Sequence, residues 1–288
     1  LGSKIVEDYT DPELGAFRGP GITPRLLGTP GKVRSPRPRL DADREAILKE
    51  LSSRKPAAAV TNAKVLKSAL EGVKVLDLCI ILAGPTCGRT LAEFGADVIK
   101  IDSPIVNPLR LHNDVNRAKR SLLLDLKTPE GLKIFWQLVD QSDVVLQNFR
   151  KGVAERLGIG YEAVKARRAD IVYCSLNTFG HLGPYANRPG HEQIAQAVSG
   201  MQLRYGGGGI PALAPYPAND YGTGLLGAYA VSLALLHRKQ TGKGQHVDSA
   251  LAYTATMLQS GLLHDYAGKK WDEPSGQDAL GSCPLNRA

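Results

Sequence analysis

Two methionines, two tryptophans and 6% aromatic residues in 288 positions leave this chain poor in the rings that build stacking platforms. Its basic residues are dispersed rather than interleaved with aromatics, and no helix-turn-helix or zinc-finger spacing occurs. No nucleic-acid partner is expected, despite a formal net charge of +8. Cys79, Cys87, Cys174 and Cys283 share no Cys-x-x-Cys spacing and the six histidines form no His-x-x-x-His pair, so neither a metal site nor a disulfide framework is supported. No apolar run approaches the roughly 20 residues of a membrane helix, so no membrane partner is expected. The opening Leu1-Gly2-Ser3 lacks the basic and apolar regions of a signal peptide, which makes a cytoplasmic location the expectation. Ala83-Gly84-Pro85 stands where a Gly-x-Gly-x-x-Gly fingerprint would follow the first strand, and the run Gly206–Gly209 is not followed by Lys-Ser/Thr. Dinucleotide and P-loop readings are therefore not supported.

What is present is 43% apolar residues with 31 glycines and 18 prolines, the composition of a loop-rich α/β chain with a sizeable core. The basic balance suits an acidic surface or a polyanionic cofactor. Residues 1–52 are punctuated by Pro20, Pro24, Pro30, Pro36 and Pro38, and only Asp41 to Leu51 has helical character. Its apolar residues Ile47, Leu48 and Leu51 need a host elsewhere. Residues 53–70 read as a polar, alanine-rich connector.

From Gly72 the text alternates. Strands are predicted over 73–78, 97–101, 121–125, 143–147 and 170–174, with helices over 85–94 and 128–140. Short β-branched runs separated by helices are what right-handed βαβ units require, so the fold class is α/β with a Rossmann-like parallel sheet. Helices over 191–203 and 222–239 follow, then a turn from Gly242 into a short strand and a further helix.

Asp220 lies in Pro217-Ala218-Asn219-Asp220-Tyr221-Gly222-Thr223-Gly224, a lone carboxylate among small residues ahead of an apolar helix. Glycines let a bulky acyl group approach the backbone, and a helix N-terminus offers N–H donors to developing negative charge, so the setting suits covalent carboxylate chemistry. An aspartate before a helix also serves as a plain N-cap, and the octet alone leaves both readings open.

Seven motifs in order carry a resemblance: Ala83–Pro85, Leu91–Ile101, Asn116–Lys127, Asp143–Phe149, Arg188–Gly190, Asp220–Gly224 and Thr241–Asp248. Together they closely resemble the family III CoA-transferases, also called the CaiB/BaiF family, over residues 71–260. The resemblance implies a large Rossmann-like domain, a smaller domain, and two chains interlocked as a homodimer or, in tandem members, a pseudo-dimer. It implies a cytoplasmic enzyme that moves CoA from an acyl-CoA thioester to a small carboxylic acid, with coenzyme A as the acyl carrier. Asp220 would form first an acyl anhydride and then an aspartyl-CoA thioester. By the same carry-over Ile81, Leu82 and Ala83 line the entrance beside the thioester, Lys119 meets a phosphate, Asn148 and Phe149 hold the adenine or pantetheine side, and Arg156 joins the phosphate cluster. For Lys119, Arg120 and Arg156 a solvated surface position is the alternative, and for Phe149 burial in the core. Leu82 replaces the glutamine of formyl-CoA-specific members, which speaks against an oxalate-type reaction.

Two alternatives stand beside the transferase. α-Methylacyl-CoA racemases, relatives within the family, use a histidine in a Gly-His-Asp stretch together with the matching aspartate, and this chain has Gly190-His191-Glu192 and Asp220. His191 could also simply cap the helix that follows. A silent repeat that only scaffolds assembly is the third reading, and the presence of Asp220 argues against it. Residues 1–52 resemble the C-terminal tail of a preceding module, as in tandem CoA-transferases. The domain reading is then tail 1–52, linker 53–70, large domain 71–264 and, from 265 to 288, the start of a truncated small domain.

Overall fold

A computed structural model describes residues 5–53, 65–105, 112–270 and 276. In chain order these form β1 (Val6–Asp11), β2 (Gly15–Pro20), β3 (Arg25–Leu26), α1 (Arg44–Ser53), β4 (Lys74–Asp77), α2 (Ala83–Glu93), β5 (Asp97–Asp102), α3 (His112–Val115) and β6 (Arg120–Leu123). There follow α4 (Pro129–Val139), β7 (Val144–Gln147), α5 (Val153–Arg156), α6 (Tyr161–Arg167) and β8 (Val172–Asn177). The rest is α7 (Glu192–Val198), α8 (Met201–Tyr205), α9 (Ala218–Thr241), β9 (His246–Ala250), α10 (Leu251–Leu258) and β10 (Asp265–Tyr266).

The α/β expectation holds. Seven strands lie in the order β3-β9-β8-β7-β4-β5-β6, parallel from β9 to β6, with β3 antiparallel at the edge. The chain starts in the middle, at β4, runs outward through β5 and β6, then returns to the other side of β4 for β7, β8 and β9. The strand order reverses between β4 and β7, where a doubly wound sheet opens a crevice at its carboxyl edge.

Parallel sheets are covered on both faces, so the strands are near-continuous apolar runs whose successive side chains point to opposite faces. Val75, Val144, Leu146, Val172 and Cys174 point to one face, against Cys87 and Leu91 of α2 and Ala228, Val231 and Ala234 of α9. Leu76, Val145 and Tyr173 point to the other, against Phe135 and Val139 of α4 and Val164 of α6. Helix α4 begins where Thr128 Oγ1 accepts the Gly131 N–H at 3.1 Å and Pro129 takes the first helical position.

Helices α2 and α9 touch through small residues. A Cβ on Gly224 would lie 2.6 Å from the Ala83 carbonyl oxygen and 2.6 Å from Thr86 Cβ. Glycine here sets how closely the start of α9 approaches the start of α2, and so brings the first turns of both to the sheet's carboxyl edge.

The N-terminal segment holds more structure than the sequence reading allowed. β1 and β2 form an antiparallel hairpin that β10 joins, with Phe17 buried between Tyr9 and Tyr266. The turn is local chemistry: Asp11 Oδ1 accepts the N–H groups of Glu13 and Leu14 at 2.9 and 3.0 Å, and Gly15 supplies a φ of 75°. β3 extends the main sheet, and Gln245 Oε1 pins the chain after it by accepting the Gly28 and Thr29 N–H groups at 3.1 Å each. The helix expected over 41–51 forms as α1, yet it buries none of its residues. The helix expected over 191–203 is two helices, broken at Gly200 with φ of 80°. Asp265 and Tyr266, expected to open a small domain, pair with β2. Much of the expected linker, residues 54–64, lies outside the described residues, as do 271–275 and 277–288. Among the described residues no helix is long and apolar enough to cross a membrane.

Candidate active site

The loops that leave β4 and β7 flank the reversal of strand order, and between them opens a cavity of about 510 Å³. Ile80, Ile81, Leu82 and Ala83 line it from the first loop, and Asn148, Phe149, Arg150 and Lys151 from the second. Asn148 clamps the first loop from both sides: its Nδ2 donates to the Ile80 carbonyl at 2.7 Å and its Oδ1 accepts the Ile80 N–H at 2.9 Å. Ile81 is held at φ 74°, a left-handed conformation that a β-branched residue adopts only when its surroundings impose it. The strained turn hands the chain directly to α2, and Leu82 becomes the residue before that helix. Phe149 lines the cavity while packing against the hydrophobic cluster beneath it.

Asp220 and His191 reach the same cavity from the opposite side. Helix α9 starts at Ala218, earlier than expected, so Asp220 lies inside the first turn and is not its N-cap. The capping carboxylate comes from another helix. Glu192, only 5% exposed, accepts the Asp220 N–H at 2.7 Å, the Asn219 N–H at 3.4 Å and Asn219 Nδ2 at 3.0 Å, and is steadied by Gln196 Nε2 at 2.7 Å. The Asp220 side chain is therefore released from capping. Burial, and then the charge of Glu192, push its carboxyl from the ordinary 3.8 up to about 7, with the His191 imidazole pulling the other way. His191 takes the N-cap position of α7 without a capping side-chain bond; its Nδ1 meets Gln193 Oε1 instead.

Seven of the residues anticipated from sequence thus line one cavity: Asp220, His191, Ile81, Leu82, Ala83, Asn148 and Phe149. Lys119 and Arg156 do not. Lys119 is 1% exposed, and its three ammonium protons go to Asp77 Oδ2 at 2.7 Å, the Pro85 carbonyl at 2.8 Å and Asn116 Oδ1 at 2.9 Å. No proton is left for a phosphate. The ion pair ties β4 to α2 and to the segment before β6, which is a structural task. Arg120 is held by both oxygens of Asp97 at 2.8 and 2.7 Å. Arg156, at the end of α5, is exposed and outside the cavity. The cations that do line the cavity are Arg150, Lys151 and Arg188. Arg150 and Lys151 directly follow the Asp143–Phe149 motif at the carboxyl end of a parallel strand, a position that could have flagged them. Glu192 carried no local signal for its capping role, since the N–H groups it caps lie 27 and 28 residues away.

The sequence pattern that defines the CoA-transferase family III matches residues 70–287. The chain belongs to the family III CoA-transferases. A succinate–glutarate CoA-transferase of Agrobacterium fabrum is 36% identical over 205 residues, 64% of this chain and 51% of that protein. Human α-methylacyl-CoA racemase is 36% identical over 223 residues, covering 75% of this chain and 57% of the racemase. Among solved structures, a CaiB/BaiF family protein from Brucella suis superimposes with a TM-score of 0.62 at 36% identity, over 67% of this chain and 56% of its own. The chain spans about half the length of the curated relatives it matches. Family membership thus rests on the whole run of motifs, and within that frame Asp220 and His191 both stand in the wall of the crevice.

Two outcomes follow from this geometry. Lys119→Met strands the fully buried Asp77 carboxylate without its cation and is expected to destabilise the fold by about 3–5 kcal/mol in urea titration; an unchanged midpoint would return Lys119 to the surface role. Because the Asp220 carboxyl sits near 7 in the folded chain against 3.8 ordinarily, the folded state holds the extra proton between those values, and stability falls as pH rises through that window. Asp220→Asn should therefore melt above the parent at pH 8, with the difference gone below pH 4; a gap that is equal at both pH values contradicts the buried-charge assignment.

Proposed function

We propose that this chain transfers CoA between an acyl-CoA thioester and a carboxylic acid through covalent chemistry at Asp220. The observation that carries the reading is the Asp220 carboxylate itself. It is half-buried in the wall of the crevice, at the N-terminal turn of α9, and relieved of capping by Glu192. A desolvated carboxylate with a raised pKa is a stronger nucleophile than a solvated one, and it still ionises near neutral pH.

In the first step an Asp220 oxygen attacks the thioester carbonyl carbon, the carbon–sulfur bond breaks, and CoA leaves as a thiolate, giving an acyl-aspartyl anhydride. The thiolate then attacks the aspartyl carbonyl, the donor acid departs as its carboxylate, and an aspartyl-CoA thioester remains. The acceptor carboxylate reverses the two steps and restores Asp220. No proton is consumed, and each stage moves one negative charge that α9's N-terminal dipole partly offsets. Coenzyme A fits the crevice by chemistry: Arg150 and Lys151 would meet its phosphates, and Ile81, Leu82 and Phe149 supply apolar surface for the pantetheine arm or the adenine. The A. fabrum relative, by name a succinate–glutarate CoA-transferase, supports a small dicarboxylic acid as the partner substrate.

A racemase reading keeps one specific observation in its favour: His191 and Asp220 line the same cavity, as an acid/base pair for α-proton exchange would, and one relative is an α-methylacyl-CoA racemase. A scaffold without activity would have no use for a half-buried aspartate released from capping. An interlocked homodimer or tandem pseudo-dimer is in keeping with the exposed Leu225, Tyr229 and Leu236 along α9. We read residues 1–52 as the tail of a preceding module, and its seating on β9 supports a tail that completes this domain. The compartment we assign is the cytoplasm.

Incubation with succinyl-CoA followed by hydroxylamine should convert Asp220 to a hydroxamate detectable by mass spectrometry, with no product in Asp220→Asn. A hydroxamate that persists in the variant removes the transferase mechanism. Deuterium entering the α-carbon of 2-methylacyl-CoA in the parent, and not in His191→Ala, would favour the racemase instead.

A further inference from the structure

His181 also lines the Asp220 cavity, in the turn that follows β8, and the roles assigned above make no use of it. The turn is organised by one buried carboxylate. Asp248 on β9, 1% exposed, accepts the His181 N–H on Oδ2 at 2.9 Å and meets the ring Nδ1 with Oδ1 at 2.9 Å. Asn177 Nδ2 donates to the same Oδ1 at 3.0 Å and lies 3.3 Å from Nδ1. Two donors cannot share that contact, so the shorter approach to the carboxylate assigns the proton to Nδ1. Burial alone would raise the Asp248 carboxyl, but the hydrogen bonds and charge of His181 and the Asn177 amide hold it below the usual carboxylate range. Asp248 is a fixed anion with His181 as its partner.

The backbone adds to the fixation. Gly180 stands at φ 76°, and a Cβ there would fall 1.7 Å from the Tyr253 hydroxyl, so the turn is pressed against α10. Among the described residues the other ring nitrogen, Nε2, has no protein partner. The neighbouring imidazole does not compete for a ligand. His246, 5.3 Å away between ring centroids, is pushed down to about 4 by burial and then by His181, so it is neutral. Its Nε2 is occupied at 2.8 Å by the Ser175 hydroxyl, which in turn accepts from Gln147 at 2.8 Å.

An imidazole whose Nδ1–H is tied to a buried anion turns its unpartnered Nε2 into the cavity wall, and as the doubly protonated imidazolium it donates from that nitrogen to an anionic ligand group. If the acids handled at Asp220 carry one carboxylate, that group is consumed at the reacting end. A dicarboxylic acid brings a second, and an unpaired charge in this cavity needs a partner. We propose that His181, oriented by Asp248, receives the second carboxylate of a dicarboxylic acyl group or acid and so selects dicarboxylates over monocarboxylates of equal length. The inference rests on the transferase reading for what occupies the cavity. Arg188, stacked on Tyr185 at 4.7 Å, lines the same cavity and is the competing candidate.

The test uses the free acids, so that it does not require turnover. In the parent chain labelled with 13C at histidine Cε1, the His181 resonance is assigned by its absence in His181→Gln, then followed during titration with succinate and with butyrate. Succinate is expected to move that resonance with an apparent dissociation constant at least fivefold below that for butyrate. By ligand-detected NMR the fivefold preference should vanish in His181→Gln. Equal responses to the two acids, no response to either, or a preference lost in Arg188→Gln and kept in His181→Gln would overturn the assignment. CoA binding, measured separately by calorimetry, judges the transferase reading on its own: its absence would sink that reading whatever the acids do.

Discussion

A single buried carboxylate, Glu192, organises the reactive end of this molecule. It gathers the N–H groups at the start of α9 and the Asn219 amide onto its oxygens. A helix N-terminus is ordinarily capped by a residue of its own chain segment, and Asp220 or Asn219 would serve. Supplying the cap from α7 frees Asp220 to face the crevice and adds a like charge beside it, so the same interaction that positions the carboxylate also resists its ionisation. Glu192 thus contributes to both positioning and pKa, adding to the larger effect of burial on the latter.

The rest of the site depends on close approach. Gly224 lets α9 meet α2, and the Asp77–Lys119 pair ties α2 to β4 beneath the loop that carries Ile80 to Ala83. Asn148 then fixes that loop from β7's side, holding Ile81 in its left-handed turn. Strain of this kind persists only where the surroundings over-determine the backbone, and here the clamp on the adjacent Ile80 comes from just past the strand across the reversal point of the sheet. The crevice is thus built by the topology, while its chemistry is set by a few side chains that reach it from either side.

Much of this was legible in the residues. The strands of the parallel sheet announce themselves because both faces are covered, giving runs such as Val144-Val145-Leu146, and Asp220 stood out through its small neighbours. Local patterns failed where the deciding partner is remote. Lys119 reads as a phosphate ligand until Asp77, 42 residues away, accepts a hydrogen bond from its ammonium. Arg156 follows the right strand but is exposed at the end of α5 and does not line the cavity. β3 has only two residues and exists because β9 offers an edge. Glu192 and Asp248 owe their importance to contacts 28 and 67 residues distant, which no window of sequence contains.

The central claim is that burial and Glu192 together raise the Asp220 carboxyl toward neutrality. Its most direct test is a pH titration of the 13C-labelled aspartate carboxyl resonances, with Asp220 assigned by substitution. The account predicts a midpoint near 7 for Asp220, moving down in Glu192→Gln as the like charge is removed. A midpoint near 4 in the parent, or one that Glu192→Gln leaves in place, would contradict it.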